Sequence, residues 1–146
     1  MRWSILLLLA GCHPGDSEPD SPFEVCPVAA PDYGGAADLM LPGTDCLSCH
    51  VEGGHARSVF VAAGTVFTGA TCPEPVVGAT VHLVDSDGTA LDVVTNEVGN
   101  FVVIDGLMPP LEVTITGDAG TATMSAAGGG CGGCHAAEGL GYVHLP

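Results

Sequence analysis

The sequence predicts a small all-β domain, and three observations predict it. From residue 59 onward, short apolar runs are broken by turn residues at regular spacing, the pattern of many short strands. In two of these runs apolar side chains recur at every second position, which lines one face of a strand. The composition, with 22 glycines and 11 prolines in 146 residues, favours turns over long helices.

The chain starts MRWSILLLLAGC. Arg2 precedes an apolar run over 5–10 that is too short to cross a bilayer and suits a signal peptide. The run ends Leu9-Ala10-Gly11-Cys12, which resembles the lipobox of bacterial lipoproteins. That resemblance implies removal of 1–11 and acylation of Cys12. The residue after it is His13 rather than Asp, which by the same resemblance suggests the outer membrane, facing the periplasm or the exterior. Several acyl chains on one residue would anchor stably, at about 0.8 kcal/mol per buried methylene. Ordinary secretion with cleavage nearby is the plainer alternative. Residues 13–22, HPGDSEPDSP, are acidic and proline-rich, and 23–42 are loop-like, so 12–42 reads as a flexible tether.

Within the domain, 59–67 reads as a strand. In 78–85 Ala79, Val81 and Leu83 face one way and Thr80, His82 and Val84 the other. Ser86-Asp87-Gly88 is a hairpin turn. Strands follow at 91–95, 101–104, 111–116 and 121–126, with turns at 96–100 and 118–120. Leu111, Val113 and Ile115 point inward, and Ala122, Met124 and Ala126 share one face.

Charge excludes some partners. Two Lys plus Arg stand against 17 Asp plus Glu, for a net charge of −15, and Arg57 is the one basic residue beyond the leader. Such a chain is unsuited to nucleic acid or to electrostatic docking on anionic lipid. It favours a partner protein with a basic docking surface.

The seven cysteines sort into Cys12, Cys26, Cys72 and two copies of one word: CLSCH at 46–50 and CGGCH at 131–135. Cys-x-x-Cys-His is the local pattern of covalent c-type haem attachment. Cys46, Cys49, Cys131 and Cys134 would add to haem vinyl groups, and His50 and His135 would be proximal ligands of two irons. The chemistry implied is two haems c. The same four cysteines could make a four-thiolate zinc site. Against zinc stand the histidine after each pair and the separation of the pairs by about a domain. Local disulfides or redox pairs are a further alternative, although no βαβ text surrounds either word. Cys26 and Cys72 are candidates for a disulfide by arithmetic alone.

Candidates for sixth ligands are His55, His144 and Met124, with His13, His82, Met40 and Met108 behind them. Met124 is in phase with a core face, and a thioether there would raise the potential of a nearby iron. Arg57 is either a partner for a haem propionate or a solvated side chain. Gly128-Gly129-Gly130, just before the second word, are expected to let the backbone approach a flat macrocycle.

The segments AGTVF (63–67), PVVGATVHLVDSDG (75–88), TNEVGNF (95–101) and PPLEVTITG (109–117) resemble the carboxypeptidase-regulatory-like, transthyretin-like β-sandwich module. The likeness covers about 60–126 and implies a small Ig-like sandwich, mostly non-catalytic. The whole arrangement resembles small haem-bearing bacterial lipoproteins with this sandwich between two such words. The domains expected are a leader (1–11), tether (12–42), first haem segment (43–58), sandwich (59–126) and second haem segment (127–146). The expected function is that of an exported, lipid-anchored dihaem cytochrome transferring electrons at the cell envelope, a carrier rather than an enzyme. The alternatives are a non-haem outer-membrane lipoprotein stapled by disulfides, and a haem sensor or minor peroxidase with an open iron.

Overall fold

The computed structural model describes residues 41–69, 74–135 and 140–146. The expected leader, Cys12, His13, Cys26, Met40 and Cys72, and nearly all of the tether lie outside them.

The described residues form an all-β sandwich of two antiparallel sheets. The strands are β1 (Ala62–Thr65), β2 (Thr80–Asp85), β3 (Ala90–Val94), β4 (Asn100–Val103), β5 (Leu111–Gly117) and β6 (Gly120–Ala126). One sheet runs β3-β2-β5-β6 and the other pairs β1 with β4.

Alternation in the sequence sets the register. Val81 stands opposite Ile115 and Leu83 opposite Val113, so all four reach the core together. Thr80 and His82, one step out of phase, are exposed. Phe101 and Val103 of the small sheet close the core from the other side. Each such side chain contributes about 1.5–3 kcal/mol by leaving water.

Turn chemistry holds the strands apart at the right lengths. Asp85 Oδ1 accepts from the backbone N–H groups of Asp87 and Thr89, and Gly88 takes a positive φ of 82° that favours glycine. Asn96 Oδ1 accepts from the N–H groups of Val98 and Asn100 in the next turn. Thr95 is buried. Its Oγ1 donates to Val76 O at 2.7 Å and accepts from Ala79 N at 2.9 Å.

Most strand ends differ from expectation by a residue or two, and two of the differences have identifiable reasons. The strand expected over 59–67 is regular only at Ala62–Thr65. Before it, the Phe60 N–H is drawn off to His50 O at 3.0 Å. After it, Phe67 pairs with the end of the chain: Phe67 N donates to Val143 O, and Leu145 N donates to Phe67 O. The turn expected at 96–100 ends one residue earlier, because Asn100 already pairs with Thr65 in the small sheet.

That pair anchors the segment entering the first word. Thr65 Oγ1 donates to Asn100 Oδ1 at 2.6 Å, and Gly43 N donates to Thr65 Oγ1 at 2.8 Å. Both side chains are buried, so the link is shielded from competing water.

Candidate functional site

Each Cys-x-x-Cys-His word folds into the same object. A 3-10 turn spans Cys46–Ser48 in one and Cys131–Gly133 in the other. The second cysteine then closes the turn with nearly identical backbone angles, φ −111° and ψ −37° at Cys49 against −110° and −37° at Cys134. The histidine N–H donates to the carbonyl of the first cysteine, at 2.9 Å for His50 and 2.8 Å for His135. Beyond it the chain returns to the second cysteine, with Ala56 N on Cys49 O and Leu140 N on Cys134 O.

Both imidazoles are oriented in one way. His50 Nδ1 donates to Ser58 O at 2.9 Å, and His135 Nδ1 donates to Gly141 O at 3.0 Å. A carbonyl can only accept, so Nδ1 carries the proton and Nε2 keeps its lone pair. This is the outer hydrogen bond that fixes tautomer and ring direction in metal-ligating histidines. His50 is further held by a parallel stack on Phe60, with centroids 3.9 Å apart and planes 9° apart. Large apolar side chains stay exposed beside both words: Val51 and Val59 around the first, Leu140 beside the second.

The words are 81 residues apart from His50 to Cys131 in sequence, yet they pack back to back. Asp45 caps the first turn by accepting from Leu47 N at 3.2 Å, and its carboxylate lies against the second word. A Cβ on Gly130 would stand 3.3 Å from Asp45 Oδ1, and one on Gly133 would stand 3.4 Å from Oδ2. A Cβ on Gly132 would strike Thr44 O and come within 2.7 Å of Asp45 Cα. The second word also rests on β1, where Ala63 N donates to Gly129 O at 2.9 Å.

These contacts account for two of the glycines in Gly128-Gly129-Gly130. Gly129 lets the chain pass over Val61 O and Ala62 Cα, and Gly130 faces Asp45 and Leu47. The small size of Gly129 and Gly130 serves close approach to β1 and to the first word. Gly128 has open space around its Cβ position.

The four sulfurs are unequal. Cys134 is exposed and free, and Cys46 is half-buried and free. Cys131 is free but turned into the core, with its Cβ against Gly64. Burial pushes its thiol up to about 11, and the neighbouring Cys46 adds to the shift. Burial also raises the Cys46 thiol, with a smaller push from Asp45. Cys49 is disulfide-bonded. The imidazoles therefore fit a haem iron fully, and the sulfurs fit in part. Thioethers at all four require opening the Cys49 disulfide and turning Cys131 out of the core.

No family model, curated protein or solved structure matches the chain.

Zinc gains and loses here. The two pairs are near in space, which removes their separation as an objection. Among the described residues, however, no group of three or more His, Cys, Asp or Glu side chains could hold a metal ion by themselves.

The remaining candidates scatter. Met124 and His144 line one cleft with His135. His55 and Arg57 are exposed in the loop after the first word. His82 is exposed on β2 and bonded through Nδ1 to Asp92 across the strand pair. Met108 is 69% exposed, with its N–H on Asp85 Oδ2. Two haems passing electrons to one another require the words to lie near in space, as they do, but reading the chain in order named no residue that brings them together. One signal for their adjacency existed: Ala62-Ala63-Gly64 is a run of small residues in a strand, which marks a place where another backbone comes close.

Proposed function

We propose that this chain is an exported, lipid-anchored dihaem c-type cytochrome that carries electrons at the cell envelope. The observation that carries the reading is the pair of turns of the same type, each presenting an imidazole with Nδ1 bonded to a carbonyl and Nε2 left for iron. A bound haem would supply one-electron chemistry at each word. His50 and His135 would hold the irons, and Cys46, Cys49, Cys131 and Cys134 would tether the rings. The chain's own part is placement. Thr44, Asp45 and the glycines of the second word hold the two turns against one another, so His50 and His135 would present their imidazoles from one packed unit. An acidic envelope stabilises the oxidised, more positive iron and lowers its potential. The net charge of −15 suits a partner with a basic surface. The transthyretin-like resemblance makes the sandwich a scaffold in this reading, and the lipobox resemblance supports an outer-membrane anchor.

The test is to express the chain with its leader in a host that matures c-type cytochromes. A pyridine haemochrome count of two haems per chain, with the matching mass increase, supports the proposal. A colourless product ends it.

One observation favours a second reading. The Cys49 disulfide suits a non-haem lipoprotein whose sandwich is stapled by cystine. Intact mass separates the two, since disulfides remove protons only and haems add their full mass.

A further inference from the structure

We propose that Cys46 and Cys131, the first cysteines of the two words, are a site of oxidation at which a disulfide closes between the words. The bond would form in the chain before any haem is attached, and it does not depend on the haem reading.

The crossing of the two turns brings these residues together. Asp45 and Leu47 flank Cys46, and Gly130 and Gly132 flank Cys131. A Cβ on Gly132 would lie 2.7 Å from Asp45 Cα, and one on Gly130 would lie 3.5 Å from Leu47 Cβ. The neighbours on both sides of each cysteine therefore meet in antiparallel order, which leaves Cys46 and Cys131 opposite one another at the centre. Disulfides span Cα separations of about 4.4–6.8 Å, the scale of two backbones in contact. The thiols are also presented alike. Cys46 Sγ lies 3.8 Å from Thr44 O and Cys131 Sγ lies 3.9 Å from Gly129 O, in each case the carbonyl two residues before. The electrostatics agree: after burial, Cys46 is the neighbour that most raises the Cys131 thiol, ahead of Cys134 in its own word.

Pairing within each word is disfavoured. Cys46 and Cys131 are both free, but Cys49 is disulfide-bonded, so Cys46 has no free thiol beside it in the first word. In the second word Cys134 is exposed. Cys131 is turned inward, with its Sγ 3.3 Å from where a Cβ on Gly64 would stand. A link between those two requires Cys131 to leave the core.

The oxidant is an external disulfide, and thiol–disulfide exchange balances the step. Cys46 is half-buried and is the thiol that a reagent reaches. It loses its proton to solvent and attacks one external sulfur; a mixed disulfide forms, and the first external thiolate leaves and takes up a proton. Cys131 then loses its proton and attacks Cys46 Sγ, the inter-word S–S bond forms, and the second external sulfur leaves as a thiol. Two protein thiols are oxidised while one external disulfide is reduced to two thiols. The bond would join the segment that enters β1 to the segment that follows β6, closing the sandwich into one covalent loop.

The full chain, made without haem attachment and incubated with oxidised glutathione, tests this. After alkylation, peptide mapping without reductant is expected to show the Cys46 peptide joined to the Cys131 peptide. Cys134 is expected outside that link, alkylated or carrying glutathione. Cys134→Ser is expected to leave the link intact, and Cys131→Ser to leave Cys46 carrying glutathione. In denaturant the preference for this pair is expected to disappear. A Cys131–Cys134 link, a lasting glutathione adduct on Cys46 in the unsubstituted chain, alkylation of both Cys46 and Cys131, or the same preference in denaturant would overturn the proposal. The mapping of the unsubstituted chain decides the matter without any variant having to fold. Haem content is read on separately matured protein, so failure of the haem reading and failure of this one are told apart.

Discussion

Replacing Gly132 by alanine leaves Cys-x-x-Cys-His intact as a word, so a reading confined to the motif expects nothing. The structure expects a penalty. A Cβ at 132 would strike Thr44 O and lie 2.7 Å from both Thr44 C and Asp45 Cα. Those are backbone atoms of a capped turn and cannot swing aside as a side-chain tip does. Forcing one methyl into such a contact costs about 1–3 kcal/mol. Gly133→Ala is the internal control. Its Cβ would meet Asp45 Oδ2 at 3.4 Å, an ordinary contact with a side-chain end. Alanine there also reduces the entropy of the unfolded chain, a gain of about 0.4–1 kcal/mol. The two variants, one residue apart in the same word, should differ by about 2 kcal/mol, or roughly 10 °C in midpoint for a domain of this size. Thermal and urea unfolding of both, with unchanged m-values, is the assay. Equal midpoints would refute the claim that the words are packed backbone to backbone.

Other outcomes follow from the cysteines and the core. In protein made without haem attachment, Cys134 should alkylate readily and Cys131 slowly. A thiol raised from 9.0 to about 11 has about 100-fold less thiolate at neutral pH, and peptide mapping after iodoacetamide reads the ratio. Cys49 should label only after reduction, because it is disulfide-bonded; labelling without reductant would contradict that. The same Cys131 shift gives a sign for pH. Its folded value lies above the unfolded one, so its contribution is intact below pH 9 and fades as pH rises to about 11. The loss is about 3 kcal/mol, seen as a fall in urea midpoint that Cys131→Ser should flatten. Thr95→Val keeps the shape but removes the partner of both Ala79 N and Val76 O, so it should cost about 2–4 kcal/mol in chemical denaturation.

Local periodicity made the sheets readable. Val81 and Leu83, with Val113 and Ile115, announced their facing sides before any pairing was known, because a strand's side chains alternate whatever its neighbours are. Turn residues did the same for Gly88 and Asn96, whose backbone geometry is decided within four residues. Both words were legible as a repeated Cys-x-x-Cys-His pattern, and each closes a local 3-10 turn. What stayed hidden depended on distant contacts. The tie from Phe60 to His50 shortens β1, and no period in 59–67 encodes it. The burial of Cys131 follows from its position against Gly64, a residue 67 places earlier. A disulfide at Cys49 stood only among the alternatives, because cysteine arithmetic assigned that sulfur to its word.

The placement of the two words explains why β1 is built from such small residues. The first word leads directly into β1, and the second is laid back onto it after the whole sandwich has been completed. Ala62, Ala63 and Gly64 are all buried, although they sit in a two-stranded sheet whose outer edge would ordinarily face water. The second word covers that edge: Gly129 O takes the Ala63 N–H, and Cys131 fills the space over Gly64 where a side chain would stand. Asp45 completes the arrangement, because one carboxylate caps its own turn and seats the glycines of the other. A side chain at position 130 would compete with Asp45 for that space, which is why the second turn has no side-chain cap of its own. The relative position of the two imidazoles is thus set by backbone contacts and a single carboxylate. Such a mount suits a pair of cofactors whose separation must stay constant while charge moves between them.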